Sequence, residues 1–166
     1  MLTVPTSFFL SSSADSNTSQ DKLLSTMEAL LFRNVSVNEE ADTVKVVLLK
    51  PQAIQENPHY YLDLALGAAA GLYKSGDHEA AARILNDVLQ LDGMDEVECT
   101  DPTEYCHTLT LMEVLMVLCL MKMEIPSLAF DYIEAAVQNI DTYLSEEQLY
   151  ITLSNTLMDL AHTIVS

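Results

Sequence analysis

Apolar residues recur at three- and four-residue spacing along most of the chain, which is the period of an α-helix. Gly and Pro are few, and they lie between the apolar runs rather than within them. The pattern predicts an all-α fold of about seven helices, at about 19–34, 38–50, 59–74, 78–91, 103–123, 126–143 and 146–165. The segment 38–50 is ambiguous, because its apolar half is β-branched and could form a short strand instead.

The N-terminal residues lack this spacing. Residues 1–18 are rich in Ser and Thr and carry a single charge. We expect them to form a mobile arm, in which Phe8-Phe9-Leu10 is a candidate docking element and simple disorder is the plainer alternative. The remaining residues, 19–166, are expected to form one domain, because a chain of this length can bury one hydrophobic core.

The charge of the chain is strongly negative and unevenly distributed. There are 25 acidic and 7 basic residues, for a net charge of −18. Beyond Arg83, Lys122 is the single base among 15 acidic residues. Nucleic-acid binding needs a basic surface that displaces counterions, and anionic lipid headgroups would repel this chain. We therefore expect neither as a partner. The acidity either keeps an apolar protein soluble or steers a basic partner into place.

The residues that could carry chemistry do not form a recognisable site. Cys99, Cys106 and His107 are close in sequence, but their spacing is not that of a zinc site and a fourth ligand is missing. There is no phosphate-binding Gly-rich loop, nucleophile elbow or His-Glu-x-x-His motif. The apolar segment 109–121 is shorter than the about 20 residues that a membrane span needs. We expect no metal, no cofactor, no enzyme activity and no membrane insertion.

The sequence from Leu72 to Asp92 combines several features at fixed spacing. An aromatic residue precedes Lys-x-Gly-Asp, an alanine follows the glycine by five residues, and Leu-x-Leu-Asp closes the stretch. Gly76 turns the chain, and Ala81 is the small residue that lets two helices cross closely. The pattern resembles the tetratricopeptide repeat over about residues 60–93, although a glycine replaces the usual terminal proline.

A degenerate copy of this repeat follows at about 110–143. Ala129 takes the place of the crossing alanine, and Glu124 takes that of the turn glycine. The resemblance implies antiparallel helical hairpins stacked as a short superhelix, with the helix at about 146–165 as a polar-edged cap. It also implies a groove, lined by the first helix of each repeat, that binds another protein. Carried over to this sequence, the groove residues are Asp63, Leu66, Ala70, Tyr73, Lys74, Leu111, Val114, Leu118, Met121 and Lys122. The plain alternative is that the Leu and Met residues among them are simply core.

In size, acidity, repeats and polar N-terminal arm, the chain also looks like the small acidic chaperones of bacterial type III secretion. That resemblance implies a cytoplasmic chaperone or adaptor that binds an apolar or amphipathic helical segment of another protein, such as a secreted subunit. A homodimer of the chain is compatible with this resemblance. Two other functions fit the residues: a structural subunit of an obligate protein complex, and an acidic mimic that blocks a basic site.

Overall fold

The computed structural model describes residues 5–35, 37, 58–90 and 102–165. Of residues 5–18, 58–60 and 102–105 it describes the backbone alone. The elements are α1 (Pro5–Asn34), α2 (Pro58–Lys74), α3 (His78–Leu89), α4 (Pro102–Lys122), α5 (Pro126–Asn139), a π-helical turn (Ile140–Leu144) and α6 (Gln148–Val165). The predicted all-α class is confirmed, since these ranges contain no strand. They hold six helices rather than about seven, and the segment predicted at 38–50 lies outside them.

The first helix begins earlier than expected. We predicted a start near Ser19, but α1 begins at Pro5 and includes the backbone of residues 5–18. A proline suits the first turn of a helix, because its fixed φ is helical and its missing N–H would have no intrahelical partner there. Ser and Thr are only modestly unfavourable within a helix, so their abundance does not prevent one. The mobility of this segment stays a prediction.

The turn between α2 and α3 forms where the repeat pattern placed it. Gly76 has φ +93°, a left-handed conformation that favours glycine. The backbone N–H of Asp77 donates to the carbonyl oxygen of Leu72 at 2.9 Å, which closes the end of α2. The Asp77 carboxylate then accepts from the backbone N–H of Ala80 at 3.1 Å and caps the start of α3.

The turn between α4 and α5 repeats this arrangement. The backbone N–H of Ile125 donates to the carbonyl oxygen of Leu120 at 2.9 Å, the bond that matches the one closing α2. Glu124 has φ +61°, so it takes the left-handed conformation that Gly76 takes in the first turn. The prediction that Glu124 replaces the turn glycine is therefore correct in geometry, although a residue with a side chain adopts it at some cost.

The core is built around α4. All ten residues from 111 to 120 are buried, because α1, α2, α3 and α5 all pack against this helix. Three small residues of the paired helices, Ala69, Ala81 and Ala129, are fully buried. The close crossing that the repeat pattern predicted is consistent with these positions.

The end of the chain departs from the expectations in two ways. The helix predicted at 126–143 ends at Asn139 and continues as the π-helical turn, so α6 begins at Gln148 rather than near residue 146. The exposed side of α6 is also mixed rather than polar throughout, since it carries apolar residues beside Gln148, Asn155, Asp159 and His162. Ile151, Met158 and Val165 are exposed there. Within the described ranges, no helix is long and apolar enough to cross a membrane.

Candidate protein-binding surfaces

The first helix packs on α4 and α6 and contacts the C-terminal end of α2. The side-chain amide of Gln20 donates to the Thr163 hydroxyl of α6 at 3.1 Å. Further along α1, Glu28 contacts both α2 and α4, and Phe32 contacts α2. The surface that these three helices present to residues 19–34 is called the α1-bound face below. In chain order α2 and α4 are the first helices of the two hairpins, so this is the side on which the repeat resemblance placed a groove.

Residues 19–34 of α1 form an amphipathic helix. Leu24, Met27 and Leu31 are buried at spacings of three and four residues, while the polar residues between them are exposed, apart from the half-buried Glu28. Burial of three such side chains stabilises this packing by several kcal/mol in all, at about 1.5–3 kcal/mol each. The α1-bound face is therefore a surface that holds an amphipathic helix.

Glu28 links α1 to two of the predicted groove residues. The Tyr73 hydroxyl donates to its carboxylate at 2.6 Å, and the Lys122 ammonium lies 3.8 Å from the same oxygen. Burial, and then the Glu28 carboxylate, raise the pKa of Tyr73 far above its ordinary value. The phenol therefore stays protonated and remains a donor. A third predicted groove residue, Lys74, lies with its ammonium 4.6 Å from the centroid of the Phe32 ring.

The ten predicted groove residues differ in their exposure. Those buried are Leu66, Ala70, Tyr73, Leu111, Val114 and Leu118, while Met121 is half-buried and Asp63, Lys74 and Lys122 are exposed. Glu28 of α1 contacts two of them, Tyr73 and Lys122. The groove itself stays a prediction. No sequence signal connects Glu28 with Tyr73, which is 45 residues away.

Removing the Tyr73 hydroxyl should loosen α1. We expect Tyr73→Phe to lower the free energy of unfolding by about 1–2 kcal/mol, because Glu28 loses a hydrogen bond to a charged group while the ring contacts remain. Urea denaturation measures the loss, and hydrogen exchange should show faster exchange in α1. Tyr143→Phe is the matched control, since Tyr143 is 51% exposed. Equal effects of the two variants would contradict this assignment.

A second surface is a cleft between α5 and α6, called the α5–α6 cleft below. It has a volume of about 350 Å³. Its lining residues are Ile133, Glu134, Val137, Gln138, Asp141, Thr142, Met158 and Ala161. The floor is apolar, and the lining residues include two carboxylates and no Lys, Arg or His. Sequence reasoning missed this cleft, because it treated α5 and α6 as a packed helix and a polar cap.

An apolar stripe runs along α6 beside the cleft. Ile151, Met158 and Val165 are 39%, 43% and 67% exposed. They are spaced by seven residues, so they lie on one side of the helix. That spacing was visible in the sequence, but a seven-residue spacing does not show by itself whether a stripe faces the core or solvent.

Cys119 and His107 carry side chains of types that can be reactive. Cys119 is fully buried, and burial raises its pKa to about 12, so it is not a reactive thiolate. His107 forms a hydrogen bond through Nδ1 with the Tyr150 hydroxyl, and the two rings meet edge to face. Among the described residues, no group of three His, Cys, Asp or Glu side chains is arranged to hold a metal ion. Cys99 lies outside them.

The chain was compared with protein families, curated proteins and solved structures. No family model, curated protein or solved structure matches it. The candidate surfaces therefore rest on the residues and contacts given above.

Proposed function

We propose that the protein is a non-catalytic binding module, a chaperone or adaptor that holds an apolar or amphipathic helical segment of another protein on the α1-bound face. The observation that carries this proposal is α1 itself, an amphipathic helix that packs on α4 and α6 and buries Leu24, Met27 and Leu31. A face that accommodates one such helix can accommodate another of similar pattern.

The contacts of α1 specify what the partner segment should look like. It carries apolar residues at the spacing of Leu24, Met27 and Leu31, and an acidic residue or an amide at the place of Glu28, within reach of Tyr73 and Lys122. Displacing α1 costs the several kcal/mol of its apolar packing and its contacts through Gln20 and Glu28. A partner segment of the same pattern recovers these contacts in the same place. In the secretion-chaperone interpretation, this segment belongs to a secreted subunit and the complex forms in the cytoplasm.

Site-specific photocrosslinking in the native host tests the proposal. A photoreactive residue is placed at Lys74 or at Lys122, both exposed on the α1-bound face, and in a third variant at Arg83, which is exposed on α3. We expect one dominant partner protein crosslinked from the first two positions and not from the third. The Glu79–Arg83 contact on α3 is a surface ion pair within one helix, so the control should fold normally, which circular dichroism verifies.

The alternatives give different outcomes. Crosslinks only within the chain, between α1 and the face, would contradict the proposal and leave α1 as a permanent part of the core. Equal capture from all three positions would indicate non-specific association. A partner lost when the salt concentration is raised would favour the acidic-mimic interpretation, since apolar contacts survive high salt and exposed charge pairs are screened.

A further inference from the structure

The α5–α6 cleft and the apolar stripe of α6 form one continuous exposed surface. Met158 belongs to both, and Ala161, three residues further along α6, lines the cleft together with Ile133 and Val137. Thr163, which contacts α1, is five residues from Met158 and lies about 140° around α6 from it. This surface is thus on the far side of α6 from the α1-bound face.

The C-terminal part of the chain, which forms this surface, carries negative charge with no Lys or Arg to balance it. Residues 123–166 contain seven acidic residues and no Lys or Arg. Two of the acidic residues, Glu134 and Asp141, are in the lining of the cleft and are about two helical turns apart. Carboxylates beside an apolar floor attract a cationic partner and repel an anionic one. The acidity therefore selects the charge of the occupant.

We propose that the α5–α6 cleft docks a basic amphipathic helix of a partner protein. Its apolar side packs on Ile133, Val137 and Met158, and its Lys or Arg side chains pair with Glu134 and Asp141. From Ile151 to Val165 the stripe is about 21 Å long, which matches about four helical turns. A second copy of this chain is a poor occupant, because its net charge of −18 would face the same carboxylates. The proposal is independent of the α1-bound face.

Fluorescence anisotropy with a defined probe tests it. The probe is a fluorescein-labelled 15-residue helix of Leu and Lys with the Leu residues on one side, added to the full-length protein. A scrambled peptide of the same composition and a Leu/Glu helix are the comparison ligands. We expect the amphipathic basic helix to bind at least tenfold more tightly than the scramble, and the acidic helix not to bind.

Matched variants locate the binding. The double variant Glu134→Gln with Asp141→Asn should weaken binding at least fivefold, and Met158→Ser should do the same by removing an exposed apolar contact. The control Glu79→Gln with Asp87→Asn neutralises two exposed acids of α3 and should change the affinity less than twofold.

Three results would overturn the proposal. Equal weakening by the two double variants would mean that charge alone attracts the probe. Equal binding of the amphipathic and scrambled peptides would mean that no helix docks. Concentration-dependent dimerisation in sedimentation, abolished by Met158→Ser, would assign the cleft to a second copy. Because none of these involves Lys74 or Lys122, the photocrosslinking result on the α1-bound face stands separately.

Discussion

Replacing Leu115 with alanine should lower the free energy of unfolding by about 2–5 kcal/mol, the range for truncating a buried leucine. Leu115 is fully buried in the middle of α4. The side chain therefore loses its contacts outright, and the helices around it can close the cavity only in part. Urea denaturation followed by circular dichroism measures the loss. For a domain of this size it is a large fraction of the total stability.

Leu128→Ala is the matched control for this prediction. It removes the same atoms from a leucine of the neighbouring helix that is 43% exposed. We expect it to change the stability by less than about 0.5 kcal/mol. Similar losses from both variants would mean that α4 is not the centre of the core, and that the hairpins do not pack around it as described.

The helical hairpins could be predicted from sequence because their determinants are local. Gly76 and Asp77 set a turn by φ preference and capping, and the alanines beside them set the close crossing. The degenerate turn was also assigned correctly, because Glu124 occupies the equivalent position relative to the next crossing alanine. Local determinants of this kind do not depend on which distant element covers them.

The candidate sites could not be predicted in the same way. The spacing of Leu24, Met27 and Leu31 identifies a helix with an apolar side, but it does not specify where that side is buried. The contact of Glu28 with Tyr73 depends on the packing of α1 on α2, which no short sequence pattern encodes. Six of the ten residues assigned to the groove are buried, and three of the ten, Tyr73, Lys74 and Lys122, contact α1.

The exposure of the apolar stripe on α6 could not be predicted from the sequence either. Ile151, Met158 and Val165 have a spacing that fits either a core face or a docking face. Burial decides between the two, and it depends on whether another helix follows in the stack. In the described residues none covers this side, so a pattern typical of core becomes a surface.

Glu113→Gln should stabilise the protein at alkaline pH and have much less effect in mild acid. Glu113 is 6% exposed on α4, and burial raises the pKa of its carboxyl from 4.5 to about 7. The hydrogen bond that the Asn139 side chain donates to it, at 2.6 Å, favours the ionised form but does not offset the burial. The Glu113 carboxyl thus stays largely neutral in the folded protein until the pH approaches 7.

The sign of the effect follows from the two protonation states. Between about pH 4.5 and 7 the unfolded chain loses this proton while the folded protein keeps it, so the wild type becomes less stable as the pH rises. Glutamine carries no charge at any pH, and its carbonyl oxygen can still accept from Asn139. The stability of Glu113→Gln relative to wild type should therefore increase by about 2 kcal/mol from pH 5.5 to pH 8, given about 1.4 kcal/mol for each unit of pKa.

Urea denaturation at the two pH values measures this increase, and taking the difference between variant and wild type cancels the titration of the other acidic residues. Glu134→Gln removes an exposed carboxylate of α5 and should give the same small difference at both pH values. A pH-independent difference for Glu113→Gln would show that the carboxyl is ionised in the folded protein. In that case Asn139 stabilises a buried charge, and its hydrogen bond to Glu113 adds to the apolar packing that holds α4 and α5 together.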